Sequence, residues 1–324
     1  MLDNILIPTD GSVPSERAAE FGVKLAKLSH GKVSALYVVD TGKTISLGDS
    51  IFPFENVSPT AIDEMFTGIQ SSSQKEGEIA TEFVERLAKS SGVPCKKMVV
   101  KGYPANEILK IAEENKIDLI VIGSIGRTGS TEFLLGGVAG RVVQNSIVPV
   151  LVVPGADYSH SRQPLNFALN SILTPTDGSE PSEQAAKFGV RLAKLSRGRV
   201  SALYVADTSK LMSLLGSAPD KTGSSAINDA SARLRSFSLK EGETAVQLIE
   251  EFAKDLDVPF EKMIIEGYPA SEILRVAEEN RMDLIAMGSI GKTGLEDIYL
   301  GGVAGKVVRN ASVPVLVVPK DKSR

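Results

Sequence analysis

The chain has 324 residues, of which 42% are hydrophobic and 23% are charged, a composition typical of a water-soluble globular protein. The net charge of −4 argues against nucleic-acid binding, and no apolar run reaches the roughly 18 residues needed to cross a membrane. A single cysteine, Cys95, excludes an intramolecular disulfide, two histidines exclude a histidine-rich metal centre, and the N-terminus has no basic signal-peptide region, so we expect a cytoplasmic protein.

The predicted elements of the first half alternate between apolar strands and amphipathic helices. Strands are expected over residues 5–7, 33–39, 97–100, 119–122 and 150–153, and helices over 15–28, 62–90, 104–115 and 137–145. In the longest helix, Ile79, Phe83 and Leu87 recur every four residues and indicate an apolar face. The strands are rich in Val, Ile and Leu without alternation, which favours a parallel sheet covered on both faces. The pattern therefore predicts a doubly wound α/β domain.

The second half of the chain repeats the first. The segment 8–12, Pro-Thr-Asp-Gly-Ser, returns at 175–179, and Gly-Tyr-Pro-Ala at 102–105 returns at 267–270. The offset changes from 167 to 165 residues between these motifs, where irregular segments (41–60 and 208–227) can absorb a length change. A period this long describes whole domains.

The repeat sets the domain boundaries that we predict. They are a first domain at 1–154, a linker at 155–169 without periodic apolar pattern, a second domain at 170–319 and a tail at 320–324. Each domain is expected to be a Rossmann-like, five-stranded parallel sheet with the strand order 3-2-1-4-5. Ligands of such sheets bind beyond the carboxyl ends of the strands, where the order reverses. The order follows if the loops after strands one and four serve one ligand, because those strands are then neighbours.

Two loops carry unusual chemistry at this edge of the sheet. One follows strand one and contains Asp10, or Asp177 in the second domain. The other follows strand four, is rich in glycine and runs into a helix start, where free N–H groups favour phosphate. The glycines could also serve tight turns alone, and the aspartates could be helix caps, a role that Ser12 and Ser179 could equally fill. The functional alternative for the aspartates is contact with a ribose hydroxyl or a phosphate-bound metal.

Other residues near these loops are given simpler interpretations. Arg127 and Lys292 are expected to be solvated loop charges, with phosphate contact as the alternative. Cys95 and its counterpart Phe260 are expected in the core. Residues 291–293, Gly-Lys-Thr, resemble the end of a phosphate-binding P-loop, but that motif requires glycine at position 286, where this chain has Ala286. We therefore reject a P-loop.

Both halves resemble the universal stress protein family over nearly their whole length. The ATP-binding pattern of that family is Gly, two residues, Gly, nine residues, Gly, then Ser or Thr. The glycines of this pattern stand at 123, 126 and 136 and again at 288, 291 and 301. The resemblance implies ATP with Mg²⁺ or Mn²⁺, the adenine near Val38 and Val205, ribose or metal contact at Asp10 and Asp177, and phosphates on the glycine loops.

The resemblance implies one set of nucleotide-contacting residues in each domain. In the first domain they are Pro8, Asp10, Val38, Ile122, Gly123, Gly126, Arg127, Gly136, Gly137 and Val138. In the second they are Pro175, Asp177, Val205, Met287, Gly288, Gly291, Lys292, Gly301, Gly302 and Val303. Metal contact at Asp10 and Asp177 would run through water or phosphate.

The chain departs from the family pattern at its last position. Gly137 and Gly302 stand where ATP-binding members have Ser or Thr. A lost neutral hydrogen bond costs about 0.5–1.5 kcal/mol, so we expect ATP binding weakened about tenfold at most. The family also has a branch that does not bind ATP.

Three functions follow from these observations. The first is an ATP-binding regulatory or stress-protective protein without efficient catalysis. The second is a slow ATPase, although the loops offer no histidine and no obvious general base. The third is an interaction protein that binds no nucleotide and uses the segments 41–60 and 208–227.

The last strand of each half is apolar and uncharged and would lie at a sheet edge, which is an aggregation hazard unless it is covered. We expect the two last strands to pair antiparallel, so that the repeats form a pseudo-dimer within one chain. A further homodimer is then optional.

Overall fold

The computed structural model describes residues 2–42, 59–127, 135–155, 169–207, 224–292 and 300–320. The chain divides into two compact units, Met1–His160 and Ser161–Arg324. The irregular segments at 41–60 and 208–227 lie largely outside the described residues, as do most of the predicted linker and the middle of each glycine loop.

Domain 1 alternates strands and helices as predicted. Its strands are β1 (Asn4–Pro8), β2 (Lys32–Asp40), β3 (Cys95–Gly102), β4 (Leu119–Gly123) and β5 (Val150–Val153). Its helices are α1 (Val13–Ser29), α2 (Pro59–Ser90), α3 (Pro104–Glu114) and α4 (Gly137–Asn145). All strand pairs are parallel, and the order β3-β2-β1-β4-β5 confirms the predicted fold class.

Domain 2 repeats this arrangement. Its strands are β6 (Ser171–Pro175), β7 (Arg199–Asp207), β8 (Phe260–Gly267), β9 (Leu284–Gly288) and β10 (Val315–Val318). Its helices are α5 (Glu180–Ser196), α6 (Ser224–Asp255), α7 (Pro269–Glu279) and α8 (Gly302–Asn310). The parallel order is β8-β7-β6-β9-β10, so β6 and β9 are neighbours, as β1 and β4 are in domain 1.

Local sequence explains where the first helix begins and ends. Ser12 is the N-cap of α1, its hydroxyl accepts a hydrogen bond from Ser15 N, and a proline occupies the first turn. His30 ends the helix in a left-handed conformation with φ 56°, and its N–H returns to the last carbonyls. The helix therefore leaves β1 at a fixed direction, which positions the loop between them.

The buried face of α2 differs from the predicted one. Ile79 is 67% exposed, whereas Gly77, Ala80 and Val84 are buried. Small side chains face the sheet because α2 packs close to it, and a Cβ at residue 77 would lie 2.6 Å from the ring of Tyr37. The apolar face predicted from the spacing of the large apolar residues is therefore wrong at Ile79.

Cys95 and Phe260 are half-buried, so the prediction that they lie in the core is wrong. Cys95 is the first residue of β3 and Phe260 is the first residue of β8. Each of these strands lies at an edge of its sheet and has a neighbouring strand of the same domain on one side only. Partial burial raises the pKa of the Cys95 thiol. Among the helices described, none is long and apolar enough to cross a membrane.

Candidate functional site

The loops after β1 and β4 meet through the side chain of Asp10. Its Oδ1 accepts hydrogen bonds from Ser12 N at 3.0 Å and from Ser12 Oγ at 2.5 Å. Its Oδ2 accepts a hydrogen bond from Arg127 N at 2.8 Å. We call this arrangement the Asp10 bridge, because one carboxylate joins the two loops that the sequence singles out.

Domain 2 has the same arrangement around Asp177. Ser179 donates to Oδ1 from its N–H at 3.0 Å and from its hydroxyl at 2.5 Å, and Lys292 N donates to Oδ2 at 2.8 Å. We call this the Asp177 bridge. The aspartates thus hold the loops together, a role that lies beyond the capping and ligand-binding alternatives considered from sequence.

Both bridging carboxylates are held in their charged form. Burial by itself raises the pKa of Asp10, but the hydrogen bonds from Ser12 and from Arg127 N outweigh it, and the pKa lies below its ordinary value. The pKa of Asp177 is lowered in the same way by Ser179 and Lys292 N. Each carboxylate is therefore ionised at neutral pH and is a weak base.

The glycines of the β4 loop allow this close approach. A Cβ at Gly126 would lie 2.6 Å from Asp10 Oδ2, and one at Gly291 would collide with Asp177 Oδ2. A Cβ at Gly123 would lie 2.8 Å from the carbonyl carbon of Pro14, in the first turn of α1. These positions exclude larger residues because of packing within the domain, independently of any ligand.

The last glycines of the pattern have a different environment. Gly136 and Gly301 are the N-caps of α4 and α8, and each N–H donates to the carbonyl of the serine after β4 or β9 at 2.7 Å. A Cβ at Gly137 or Gly302 would meet nothing within 4 Å. The helix starts therefore face open space, and their first N–H groups have no acceptor within the helix.

The loop cations are tied to the long helices. Arg127 Nη1 lies 2.5 Å from Glu76 Oε2 on α2, and Lys292 Nζ lies 3.2 Å from Glu241 Oε1 on α6. All four side chains are roughly half exposed, so each pair contributes little to stability and can exchange partners readily. Arg127 and Lys292 are thus exposed loop charges, as predicted, and each forms an ion pair with a glutamate.

A cavity of about 520 Å³ opens at the carboxyl ends of the strands of domain 2. This size falls in the range typical of small-molecule sites. Every residue that the family resemblance implies for this domain lines it: Pro175, Asp177, Val205, Met287, Gly288, Gly291, Lys292, Gly301, Gly302 and Val303. The structure thus brings together residues up to about 130 positions apart in sequence, from Pro175 to Val303.

The cavity also has lining residues that sequence reasoning missed. On the α6 side these include Leu234, Arg235, Phe237 and Glu241, and Tyr204 and Glu266 come from β7 and β8. They belong to no motif, since their place depends on how α6 crosses the sheet. The available signal was the recurrence of a Tyr on the second strand and a Gly on the long helix in both halves, Tyr37 with Gly77 and Tyr204 with Gly242, which are in close contact.

In domain 1 the equivalent residues occupy equivalent positions. Pro8 ends β1, Ile122 and Gly123 end β4, and Val38 lies near the end of β2 opposite Val100. Asp10, Gly126 and Arg127 meet in the Asp10 bridge, and Gly136, Gly137 and Val138 begin α4. Ala286, which argued against a P-loop, lies buried inside β9 and not in a loop.

No group of three or more His, Cys, Asp or Glu side chains among the described residues could hold a metal ion. At the Asp10 and Asp177 bridges, three of the roughly four lone-pair sites of each carboxylate already accept hydrogen bonds. The residues present therefore fit a metal that arrives with phosphate oxygens, and each aspartate could add one ligand or hold a bound water.

Comparison with known proteins agrees with this architecture. The profile of the universal stress protein family matches residues 1–154 and again 169–319. The chain belongs to the universal stress protein family. A universal stress protein of Methanocaldococcus jannaschii is 41% identical over 152 residues, which cover 47% of this chain and 82% of the relative.

Full-length universal stress proteins with two domains are also similar to this chain. One from Mycobacterium bovis is 24% identical over 322 residues, covering 97% of this chain and 96% of the relative. The crystal structure of a universal stress protein from Archaeoglobus fulgidus matches with a TM-score of 0.65 at 22% identity and covers 98% of each chain. The tandem organisation therefore has full-length counterparts.

Proposed function

We propose that this universal stress protein is a cytoplasmic, ATP-binding protein with one nucleotide site at the strand ends of each domain. One observation carries the proposal. In domain 2, the glycine loop, the free start of α8 and the end of β7 converge on a single cavity of about 520 Å³. A nucleotide needs an anion-binding end and an apolar end in one cavity, and this arrangement supplies both.

The lining suggests how the nucleotide lies. Gly302 and Val303 offer N–H groups at the positive end of the α8 dipole, which suits the phosphates. Val205 and Met287 supply apolar surface for the base. Domain 1 has the same order of elements, so we propose Gly137 for its phosphate end and Val38 for its base end.

Cations at the phosphate end have two sources. Arg127 and Lys292 can leave their exposed glutamate partners for a phosphate at small cost. A Mg²⁺ or Mn²⁺ ion would be held mainly by the phosphates, with Asp10 and Asp177 as the nearest carboxylates. The metal would supply neutralisation of the phosphate charge.

We propose a regulatory or stress-protective role without efficient hydrolysis. Asp177 is the lining carboxylate nearest the glycine loop, and its lowered pKa and hydrogen bonds make it a poor general base. The lining glutamate Glu266 is paired with Arg235, and Glu241 is paired with Lys292 as long as the lysine does not contact a phosphate. Among the described lining residues no histidine is present.

Thermal unfolding of the full chain with millimolar Mg-ATP tests the proposal. A ligand at about 100 times its Kd adds about 2.7 kcal/mol to stability, so the midpoint should rise measurably. The matched control is the Gly137→Glu, Gly302→Glu double variant. It places carboxylates in the open space at the two helix starts, where they repel phosphate but suit the helix dipole.

The control should fold as stably as the natural protein and show no shift with ATP. An unshifted midpoint for the natural protein would favour an interaction protein without nucleotide. Sustained phosphate release, lost in the control, would favour an ATPase.

A further inference from the structure

The two sites of the chain share their phosphate end but differ at the base end. The aspartate bridges, the glycines and the glutamate-paired loop cations correspond one to one. On the strands, Met287 of β9 corresponds to Ile122, and Glu266 of β8 corresponds to Lys101. The other differences used here lie on the long helices. Leu234, Arg235 and Phe237 of α6 correspond to Ile69, Gln70 and Ser72 of α2.

Phe237 gives the domain 2 cavity an aromatic wall. It lines the cavity and is 63% exposed, and its neighbour Leu234 is 41% exposed. When a flat ligand covers an apolar ring that is open to solvent at the mouth of a cavity, burial of the ring contributes favourable free energy to binding. At the corresponding position of domain 1, the exposed Ser72 offers no ring.

The charged pair at the base end also differs. Arg235 donates from Nε to Glu266 Oε1, and both residues line the domain 2 cavity as a neutral ion pair. In domain 1 the same two positions hold Gln70 and Lys101, with Lys101 Nζ 2.9 Å from Gln70 Oε1. Domain 1 therefore has a glutamine and a lysine where domain 2 has an ion pair.

We propose that the two sites are unequal, and that the domain 2 site binds ATP more tightly because the base stacks on Phe237. This inference rests on the proposed function. Stacking of a base on an aromatic side chain changes affinity about fivefold or more. Lys101 works in the opposite direction, but it is an exposed charge at the base end, where salt screens its attraction for the phosphates. Stacking is the larger effect.

Single-site versions of the full chain test the inequality. Gly137→Glu leaves only the domain 2 site open, and Gly302→Glu leaves only the domain 1 site open. Titration calorimetry should give a Kd for Mg-ATP at least about fivefold lower for the Gly137→Glu chain. Equal affinities, or tighter binding by the Gly302→Glu chain, would overturn the inference.

Phe237→Ser in the Gly137→Glu chain should then weaken ATP binding about fivefold or more, without changing binding of inorganic tripolyphosphate, which has no base. Ser72→Phe in the Gly302→Glu chain should strengthen ATP binding. The matched control is Leu248→Ser, a 49% exposed residue of the same helix that does not line the cavity.

The failures are distinguishable. If Phe237→Ser leaves ATP affinity unchanged while both single-site chains bind ATP, the aromatic wall plays no part and only this inference fails. If neither single-site chain nor the natural protein gives heat with ATP, the proposed function fails.

Discussion

The backbone N–H of Arg127 lies 2.8 Å from Oδ2 of Asp10, although 117 positions separate the two residues in the chain. Lys292 and Asp177 repeat the contact at 2.8 Å in domain 2. Each bond fixes a glycine loop against the loop after the first strand before any ligand is present. Such preorganisation lowers the entropy that ligand binding would otherwise cost.

Gly126→Ala should destabilise domain 1, whereas Gly137→Ala should not. The Cβ at residue 126 would lie 2.6 Å from Asp10 Oδ2 and would push the carboxylate off Arg127 N. Overpacking of this kind costs about 1–3 kcal/mol. At residue 137 the Cβ meets nothing within 4 Å, so this variant is the matched control. Denaturant unfolding of both variants measures the difference. Equal stabilities would mean that the Asp10 bridge does not constrain Gly126.

Replacing the two bridging aspartates should weaken the acid sensitivity of the fold. The pKa values of Asp10 and Asp177 are lower in the folded protein than in the unfolded chain. As pH falls, the unfolded state therefore binds more protons than the folded state and is favoured. Their stabilisation is complete above the unfolded value of about 3.9 and is lost as pH falls through the folded pKa.

The Asp10→Asn, Asp177→Asn chain should be less stable than the natural chain near pH 7 by about 1–3 kcal/mol per site. The reason is that the amide N–H of each asparagine would face another donor, the backbone N–H of Arg127 or Lys292. Its unfolding free energy should also fall less than that of the natural chain between about pH 5 and pH 3. Glu82→Gln, an exposed carboxylate of α2, is the control. Parallel pH profiles for the natural and double-Asn chains would contradict the bridge.

The helices and strands were predictable from the sequence because their signals are local, whereas the strand order was inferred from two motif-bearing loops expected to serve one ligand. Apolar runs such as 119–122 and the helix start at Gly137 need no knowledge of distant contacts. The buried face of α2 was not predictable from large apolar residues, because Gly77 and Ala80, not Ile79, face the sheet. Helix-to-sheet distance, which decides this choice, is a tertiary property.

Gly137→Ser and Gly302→Ser should strengthen ATP binding. Both positions begin a helix, and a Cβ added at either one would meet no neighbour within 4 Å. One added neutral hydrogen bond to a phosphate is worth about 0.5–1.5 kcal/mol, or up to about tenfold in Kd. Gly137→Ala and Gly302→Ala are the controls for the added carbon. Calorimetry that finds no gain for serine over alanine would mean that the phosphates lie elsewhere.

A protein made of residues 1–160 alone should dimerise. In domain 1, β5 has β4 as its strand neighbour on one side, and the apolar run Val150–Val153 forms the outer edge of the domain's own sheet. We predict that this edge pairs with the last strand of a second domain, as we expect of the two halves of the natural chain. Light scattering after size-exclusion chromatography measures the mass. A soluble monomer at high concentration would remove the reason for the pseudo-dimer.

The candidate site was predictable in its loops and not in its walls. The glycine pattern and Asp10 stand at fixed spacings after their strands, so the resemblance could be carried over residue by residue. Phe237 and Glu266 could not be found in this way, because they reach the cavity only when α6 and β8 pack beside β7. The bridging role of Asp10 was missed for the same reason, since its partner Arg127 is distant in sequence.

Titration calorimetry of the full chain with Mg-ATP, beside the Gly137→Glu, Gly302→Glu double variant, tests the central claim most directly. We predict saturable heat with about two nucleotides bound per chain, one at each helix start, and none for the double variant. The expected repulsion is local, since a Cβ at either position would meet no protein atom within 4 Å. Absence of heat for the natural chain, or the same heat for both proteins, would contradict nucleotide binding at these sites.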